Sequence, residues 1–242
     1  MLPVADENLP GRGPAVVTLT LIAINVAVFV FLQLPSEAFT YSWAVVPAEI
    51  TSGHDIVQRV SVEGGSFMLG VSPSPIYLTL ISSTFMHGGW LHLIGNMLFL
   101  YIFGDNVEHT LGSIPFLVFY LAAGVIASFA QILPDPNSLI PSLGASGAIA
   151  GVLGAYIVLF PSNRVLVYWF YNAIWVPALL VLGLWFVIQL VSGVGQIAVS
   201  QQAGGGVAYL AHVGGFVCGL VVGFIARAFL RSRPASRSFR GY

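Results

Sequence analysis

The chain has 242 residues, of which 57% are hydrophobic and only 7% are charged, and its formal net charge at pH 7 is −1. An ordinary soluble domain carries about 25% charged residues, so this composition excludes a soluble globular enzyme and a disordered chain. It also excludes a nucleic-acid-binding protein, because no strongly basic region is available to neutralise phosphates. The class that remains is a polytopic membrane protein made of one helical bundle.

Six stretches of the chain are predicted to be membrane-spanning helices, since each is largely apolar. The connection 35–80 has several charged, glycine and proline residues and too little continuous apolar sequence to span. Within it, Tyr77–Phe85 forms an apolar approach to the second span, and Asp105 and Glu108 are expected to mark the exit of that span. The predicted spans are Val16–Leu34, Trp90–Gly104, Ile114–Leu133, Ser146–Phe160, Pro177–Val191 and Val207–Leu230.

The arginines predict the orientation of this six-helix bundle. All eight basic residues are arginine, and an even number of spans places seven of them on one side and only Arg59 on the other. The positive-inside rule assigns the arginine-rich side to the cytoplasm. We therefore expect both termini to be cytoplasmic, in a cell membrane. The predicted fold is all-α: a cytoplasmic segment 1–15, a six-helix domain 16–230 and an arginine-rich cytoplasmic tail 231–242.

The fourth predicted span is too short for an ordinary membrane crossing. Its 15 residues rise about 22 Å, whereas the hydrocarbon core is about 30 Å thick. If Phe160 lies at the inner face, Ser146 lies below the outer surface, with the backbone of residues 143–145 above it. Irregular backbone at that depth is tolerated where it lines a protein or water cavity. The sequence therefore predicts a water-accessible pocket that opens outward, with Ser146 at its floor.

Four polar side chains inside the predicted spans are candidates for function, because polar groups in lipid are costly. His92 and Asn96 are four residues apart and share one helix face. Ser146 begins the fourth span, and His212 lies near the outer end of the sixth. Taken singly, each could be a helix-packing residue, which is the role we expect for Asn25.

Glycine stripes make the combination of Ser146 and His212 more specific. Gly144 and Gly147 flank the serine, so the backbone there can approach a substrate closely. Stripes of small residues allow two helix backbones to pack in contact, which would bring the hydroxyl to the imidazole. The stripe after His212 consists of Gly215, Gly219 and Gly223, and that of the fourth span of Gly147, Gly151 and Gly154.

Three motifs follow one another in the chain: HGGWLHLIGN at 87–96 with FGDNVE at 103–108, GASG at 144–147, and AHVGG at 211–215. The sequence WAVVP at 43–47 precedes them. Together they resemble the rhomboid family of intramembrane serine proteases, and the resemblance extends over about residues 15–230. It implies a six-helix rhomboid fold that cuts single-span membrane proteins within the lipid bilayer, near its outer face, and needs no cofactor, metal or nucleic acid.

The resemblance also implies a role for each motif residue. Ser146 would be the nucleophile and His212 the general base of a dyad. Asn96 and His92, with the backbone N–H of Ser146, would form the oxyanion hole. The residues implied to be supporting or structural are His87, Gly144, Gly147 and Gly215, with Glu108 and Gly112 at the cytoplasmic end.

The chain departs from the family pattern at Ala150, where some members carry an aromatic residue that stacks on the base. With no acidic residue inside the spans, a third member of a triad is missing too. The residue that orients His212 is thus left open, with Tyr209 as a candidate. The single Cys218 cannot form an internal disulfide, and we expect it to pack among apolar side chains.

The sequence also excludes several other classes of protease. Without lysine a Ser–Lys dyad is impossible, without paired acids in the spans an aspartyl protease is excluded, and the H-E-x-x-H motif of zinc proteases is absent. Two alternatives to a serine protease stay open. One is a rhomboid-like protein without activity that binds membrane proteins and escorts or retains them. The other is a channel or small-solute transporter that uses the polar cavity.

Overall fold

The computed structural model describes residues 2–9, 12–62, 65–169, 171–198 and 207–232, so most of the predicted tail 231–242 lies outside it. The protein is mostly helical. The helices are α1 (Val16–Val28, continued by the π-helix Phe29–Gln33), α2 (Glu37–Trp43), α3 (Pro47–Ser52), α4 (Thr79–Ser82), α5 (Trp90–Leu111), α6 (Ser113–Ile132), α7 (Ser146–Leu159), α8 (Ala178–Ala198) and α9 (Tyr209–Ser232). The strands are β1 (Leu2–Asp6), β2 (Arg59–Val62), β3 (Gly65–Met68), β4 (Arg164–Trp169) and β5 (Asn172–Pro177).

Four helices within the described ranges are long and apolar enough to cross a membrane: α1 with its π-helical end, α6, α8 and α9. α7 is apolar but has only 14 residues, in line with the predicted short span. α5 has 22 residues but carries several polar and charged ones. The chain is therefore a membrane protein with four candidate spans, and the count of six remains a prediction.

Glu108, which is expected to mark the exit of the second span, lies within α5, which continues to Leu111. Its side chain is only 2% exposed and is turned inward. One carboxylate oxygen accepts the Thr18 N–H at 2.7 Å and the other accepts the Val17 N–H at 3.0 Å. Both N–H groups belong to the first turn of α1, where backbone donors have no partner within the helix. Glu108 thus caps a neighbouring helix, where the helix dipole also favours an anion.

The structure contains two small sheets that the all-α prediction did not include. β1, β4 and β5 form an antiparallel sheet, and β2 pairs with β3 in a hairpin. β4 and β5 lie in the connection between α7 and α8, where Val165 and Val167 are fully buried. The two valines are two residues apart, the spacing of side chains on one face of a strand. In a sequence this apolar, such alternation is difficult to recognise.

The N-terminal segment packs against the helix ends. At the end of β1, the carboxylate of Asp6 accepts the Tyr156 hydroxyl of α7 at 2.6 Å and the Asn106 amide of α5 at 2.8 Å. Burial outweighs these hydrogen bonds and raises the pKa of Asp6 to about 6. Residues 2–6 of the predicted N-terminal segment 1–15 therefore share a sheet with β4 and a polar cluster with α5 and α7.

α7 lies at the centre of the bundle, and every residue from Gly147 to Tyr156 is buried. It packs against α9 with the two backbones in contact along the predicted glycine stripes. A Cβ atom on Gly219 would overlap the carbonyl oxygen of Gly151 and lie 2.7 Å from its carbonyl carbon. A Cβ on Gly215 would overlap the carbonyl oxygen of Gly147. The stripes therefore set the distance between α7 and α9.

Gly219→Ala is expected to lower the free energy of unfolding by about 3 kcal/mol, because the added methyl group forces two packed backbones apart. Denaturant or thermal unfolding of the purified chain in detergent measures it. Gly183→Ala on α8 is the matched control, since a Cβ there meets nothing within 4 Å. Equal stability of the two variants would contradict the close packing of α7 and α9.

Candidate active site

The structure brings Ser146 and His212 together, although 66 residues separate them in the chain. Ser146 is the first residue of α7, and His212 lies in the first turn of α9. The Ser146 Oγ and the His212 Nε2 are 2.8 Å apart, a hydrogen-bond distance. A serine next to an imidazole in this way can transfer its proton when it attacks an electrophile.

The second ring nitrogen of His212 is held by α8. Its Nδ1 lies 2.7 Å from the Oε1 of Gln189, and both side chains are 8% exposed. The indole of Trp185 lies alongside the imidazole, with ring centroids 5.7 Å apart and planes inclined by 35°. Tyr209, the sequence-based candidate for this place, instead lies beside Gly193.

Sequence reasoning missed Gln189, although one signal was present. It is the only amide or charged side chain in residues 178–191, which are otherwise apolar apart from the indole nitrogen of Trp185. A buried amide in such a segment needs a hydrogen-bond partner. That pattern marks the residue as a functional candidate but does not name its partner.

His92 lies on α5 and approaches Ser146 from the side of Gly144. Its Nδ1 accepts the backbone N–H of Gly88 at 3.2 Å, so in the neutral ring the proton is on Nε2. A Cβ on Gly144 would lie 3.0 Å from that Nε2 and 3.5 Å from the Ser146 Oγ. Gly144 also has φ +132°, which L side chains rarely adopt. Glycine at position 144 thus allows the His92 Nε2–H to lie close to Ser146.

Asn96 follows His92 one turn later on the same face of α5. The side chain is 8% exposed, and its Nδ2 has no hydrogen-bond partner among the described residues. A buried donor without a partner costs about 1–3 kcal/mol. An unpaired buried donor one helical turn from His92 is typical of a group that binds a ligand.

His87 packs against His92, and its ring nitrogens make no hydrogen bond among the described residues. It is almost fully buried, and its ring meets that of His92 edge-on with centroids 5.2 Å apart. The backbone N–H of His87 donates to the Gln33 Oε1 at 2.8 Å, and the Gln33 Nε2 donates back to the His87 carbonyl at 3.1 Å. Gln33 ends the π-helical turn after α1, so that turn anchors the start of the 87–96 motif.

A small polar cavity of about 20 Å³ lies beside Ser146, enough for one water molecule. Hydroxyl groups of Ser83, Thr84 and Ser128 are among its lining groups, and the loop above α7 is fixed by the Gly144 N–H, which donates to the Ser83 carbonyl at 2.9 Å. Gly147 faces α6, where a Cβ would lie 2.5 Å from that of Ala127. The pocket predicted at Ser146 is present; its outward opening stays a prediction.

No group of three His, Cys, Asp or Glu side chains that could hold a metal ion occurs within the described ranges. Cys218 is partly buried in α9 and free. The groups gathered at Ser146 are a hydroxyl, an imidazole and N–H donors.

Comparison with known protein families decides where the chain belongs. The family model described as Rhomboid domain matches residues 75–229, which is more than half of the chain and includes all the motif residues from His87 to His212. The chain belongs to the rhomboid family. The resemblance seen in the three sequence motifs is thereby confirmed.

Several known proteins are similar to this rhomboid. Rhomboid protein 1, mitochondrial, of Saccharomyces cerevisiae is 32% identical over 218 residues, which cover 88% of this chain and 54% of the yeast protein. The rhomboid protease GluP of Bacillus subtilis is 45% identical over 85 residues, 35% of this chain and 16% of GluP. The putative rhomboid protease YdcA of the same species is 27% identical over 147 residues, 60% of this chain and 64% of YdcA.

These relatives define the kind of protein but not its activity. GluP is named as a rhomboid protease and YdcA as a putative one, so this rhomboid has relatives that carry the name of protease. The chain spans about half the length of the yeast relative, and its match to GluP covers 16% of that protein. The yeast relative is named as mitochondrial and another, from Arabidopsis thaliana, as chloroplastic, so the family occurs in more than one cellular compartment.

Proposed function

We propose that this rhomboid is a serine endopeptidase that hydrolyses a peptide bond in the transmembrane segment of single-span membrane proteins, near the outer face of the bilayer. The observation that carries the proposal is the 2.8 Å contact between the Ser146 Oγ and the His212 Nε2. A channel has no need of a nucleophile bonded to a base, and neither does a protein that only binds other membrane proteins.

The proposed reaction begins with proton transfer from the Ser146 hydroxyl to the His212 Nε2 as the oxygen attacks the scissile carbonyl carbon. The negative charge that develops on the carbonyl oxygen is stabilised by the His92 Nε2–H, the Asn96 amide and the Ser146 backbone N–H. His212 then gives its proton to the leaving amine. Water, activated by the same imidazole, hydrolyses the acyl-enzyme and restores both side chains.

The depth of Ser146 supports a substrate whose cleavage site lies in or near the membrane. The 14 residues of α7 rise about 21 Å, so the helix is too short to extend from one membrane surface to the other. With its C-terminal end at the inner face, Ser146 lies below the outer surface. A substrate helix must unwind before its carbonyl is accessible. We therefore expect small or helix-breaking residues near the outer end of the substrate span.

The arginine distribution supports the remaining parts of the proposal. Residues 16–230 form the proposed protease domain, with the segment 1–15 and the tail 231–242 on the cytoplasmic side of a cell membrane. This orientation places the Ser146 end of α7 toward the outside. The positive-inside rule is its physical basis.

The test uses the purified full chain in liposomes with a single-span substrate that has glycine and alanine at its outer end. We expect the substrate to be cleaved, and a fluorophosphonate probe to form an adduct that peptide mass mapping assigns to Ser146. Ser82→Ala is the matched control, because the Ser82 hydroxyl donates to the Trp43 carbonyl and not to a histidine. Substrate binding without cleavage or labelling would overturn the protease proposal in favour of escort or retention.

A further inference from the structure

We infer that Gln189 is the positioning residue of His212, so that α8 supplies what an acidic triad member supplies in other serine proteases. The inference rests on the proposed function. It extends it by a residue that none of the sequence motifs contains. The geometry behind it is the 2.7 Å contact between the Gln189 Oε1 and the His212 Nδ1.

The direction of this hydrogen bond decides which nitrogen of His212 can act as a base. A carbonyl oxygen only accepts, so Nδ1 must donate and must carry the ring proton. In the neutral ring Nε2 then has a free lone pair, and this is the atom 2.8 Å from the Ser146 Oγ. Without the acceptor on α8, the ring is free to carry its proton on Nε2, where it cannot take the proton of serine.

The surroundings of Gln189 show why an amide is present in this helix. The neighbouring residues of α8 are apolar, and the side chain is 8% exposed. Burying an amide is unfavourable unless it is hydrogen-bonded, and His212 supplies the bond. A residue that served only helix packing could be apolar at this position at no cost.

Trp185 holds the imidazole from the same helix. It precedes Gln189 by four residues, so the two share one face of α8. Its indole lies 5.7 Å from the imidazole centroid and also packs on Phe216 of α9 at 6.3 Å. Because residue 150 of α7 is an alanine, the ring and the hydrogen bond that orient the base both come from α8.

The charges around His212 allow a clean test by pH. α6, α7 and α8 contain no Asp, Glu, Lys or Arg. On α5 the titratable group that faces His212 is His92, and the arginines of α9 follow 15 residues or more after His212. Among the described residues, a carboxylate introduced at position 189 would thus be the only acid beside the imidazole.

Gln189→Leu is expected to lower kcat by about 10–100-fold with KM within about twofold, because the base loses its orientation and not its contacts to substrate. Gln189→Glu keeps an acceptor and should retain kcat within about tenfold of wild type at high pH. The new carboxylate stabilises the imidazolium, so the acid limb of the kcat/KM profile should move up by about one pH unit. Ser192→Ala, on the same helix, is the control and should leave both the rate and the profile unchanged.

A second measurement does not depend on activity. In the full chain labelled with ¹⁵N-histidine, NMR should show His212 with its proton on Nδ1 in wild type and in Gln189→Glu, and a loss of that single tautomer in Gln189→Leu. Wild-type rate, profile and tautomer in Gln189→Leu would overturn the inference while the Ser146–His212 dyad stands. A cleaving Ser146→Ala variant would overturn the proposed function instead, and the NMR result would still decide the role of Gln189.

Discussion

Ser146→Ala and His212→Ala are each expected to lower the rate of substrate cleavage by at least about 10⁴-fold, since either change removes a member of a unit that acts together. The serine supplies the attacking oxygen, and the histidine removes its proton at the 2.8 Å contact. Single-turnover cleavage of the single-span substrate in liposomes measures both effects. Fluorophosphonate labelling should disappear in both variants.

The double variant provides the sharper test of a shared step. If serine and histidine act in one proton transfer, Ser146→Ala combined with His212→Ala should be no slower than either single variant. His54→Ala is the control for a histidine change, because the ring of the exposed His54 bonds to the Ser52 carbonyl and not to a serine hydroxyl. Losses that multiply in the double variant would show that the two residues act independently and would contradict the dyad.

The sequence predicted the site residues that local pattern can reveal. Ser146 and His212 were identifiable because polar residues in apolar spans are rare, and the glycine stripes indicated which helices meet. Each stripe is a property of one helix and its period, which a sequence shows directly. The close packing of α7 on α9 in the structure is the consequence of those two local patterns.

The residues that the sequence did not reveal depend on contacts between distant segments. Gln189 is a lone amide in α8 with no motif around it, and only the tertiary fold places it 2.7 Å from His212. The sequence also did not indicate that Glu108, on α5, caps α1. The strand β1 is stabilised by pairing with β4, more than 150 residues later, and no local preference predicts that partner.

Asn96→Ala is expected to lower kcat by about 10²–10³-fold, the usual loss when one donor to an oxyanion is removed. The amide N–H acts on charge that develops during the reaction, so KM should stay within about twofold of wild type. Kinetics of the single-span substrate in liposomes, with a fixed substrate-to-lipid ratio, measure the two constants separately.

Stability measurements separate this catalytic role of Asn96 from helix packing. Its Nδ2 is a buried donor without a partner among the described residues, so removing it should leave the free energy of unfolding unchanged or slightly raised. Asn25→Ala is the matched control: that amide is also buried, but its Nδ2 bonds to the Leu21 carbonyl at 2.7 Å and its unpaired atom is the acceptor Oδ1. An acceptor cannot stabilise an oxyanion, so Asn25→Ala should lose stability and keep kcat. If Asn96→Ala instead lost stability and kept its rate, Asn96 would be a packing residue and the oxyanion would depend on His92 and the Ser146 backbone alone.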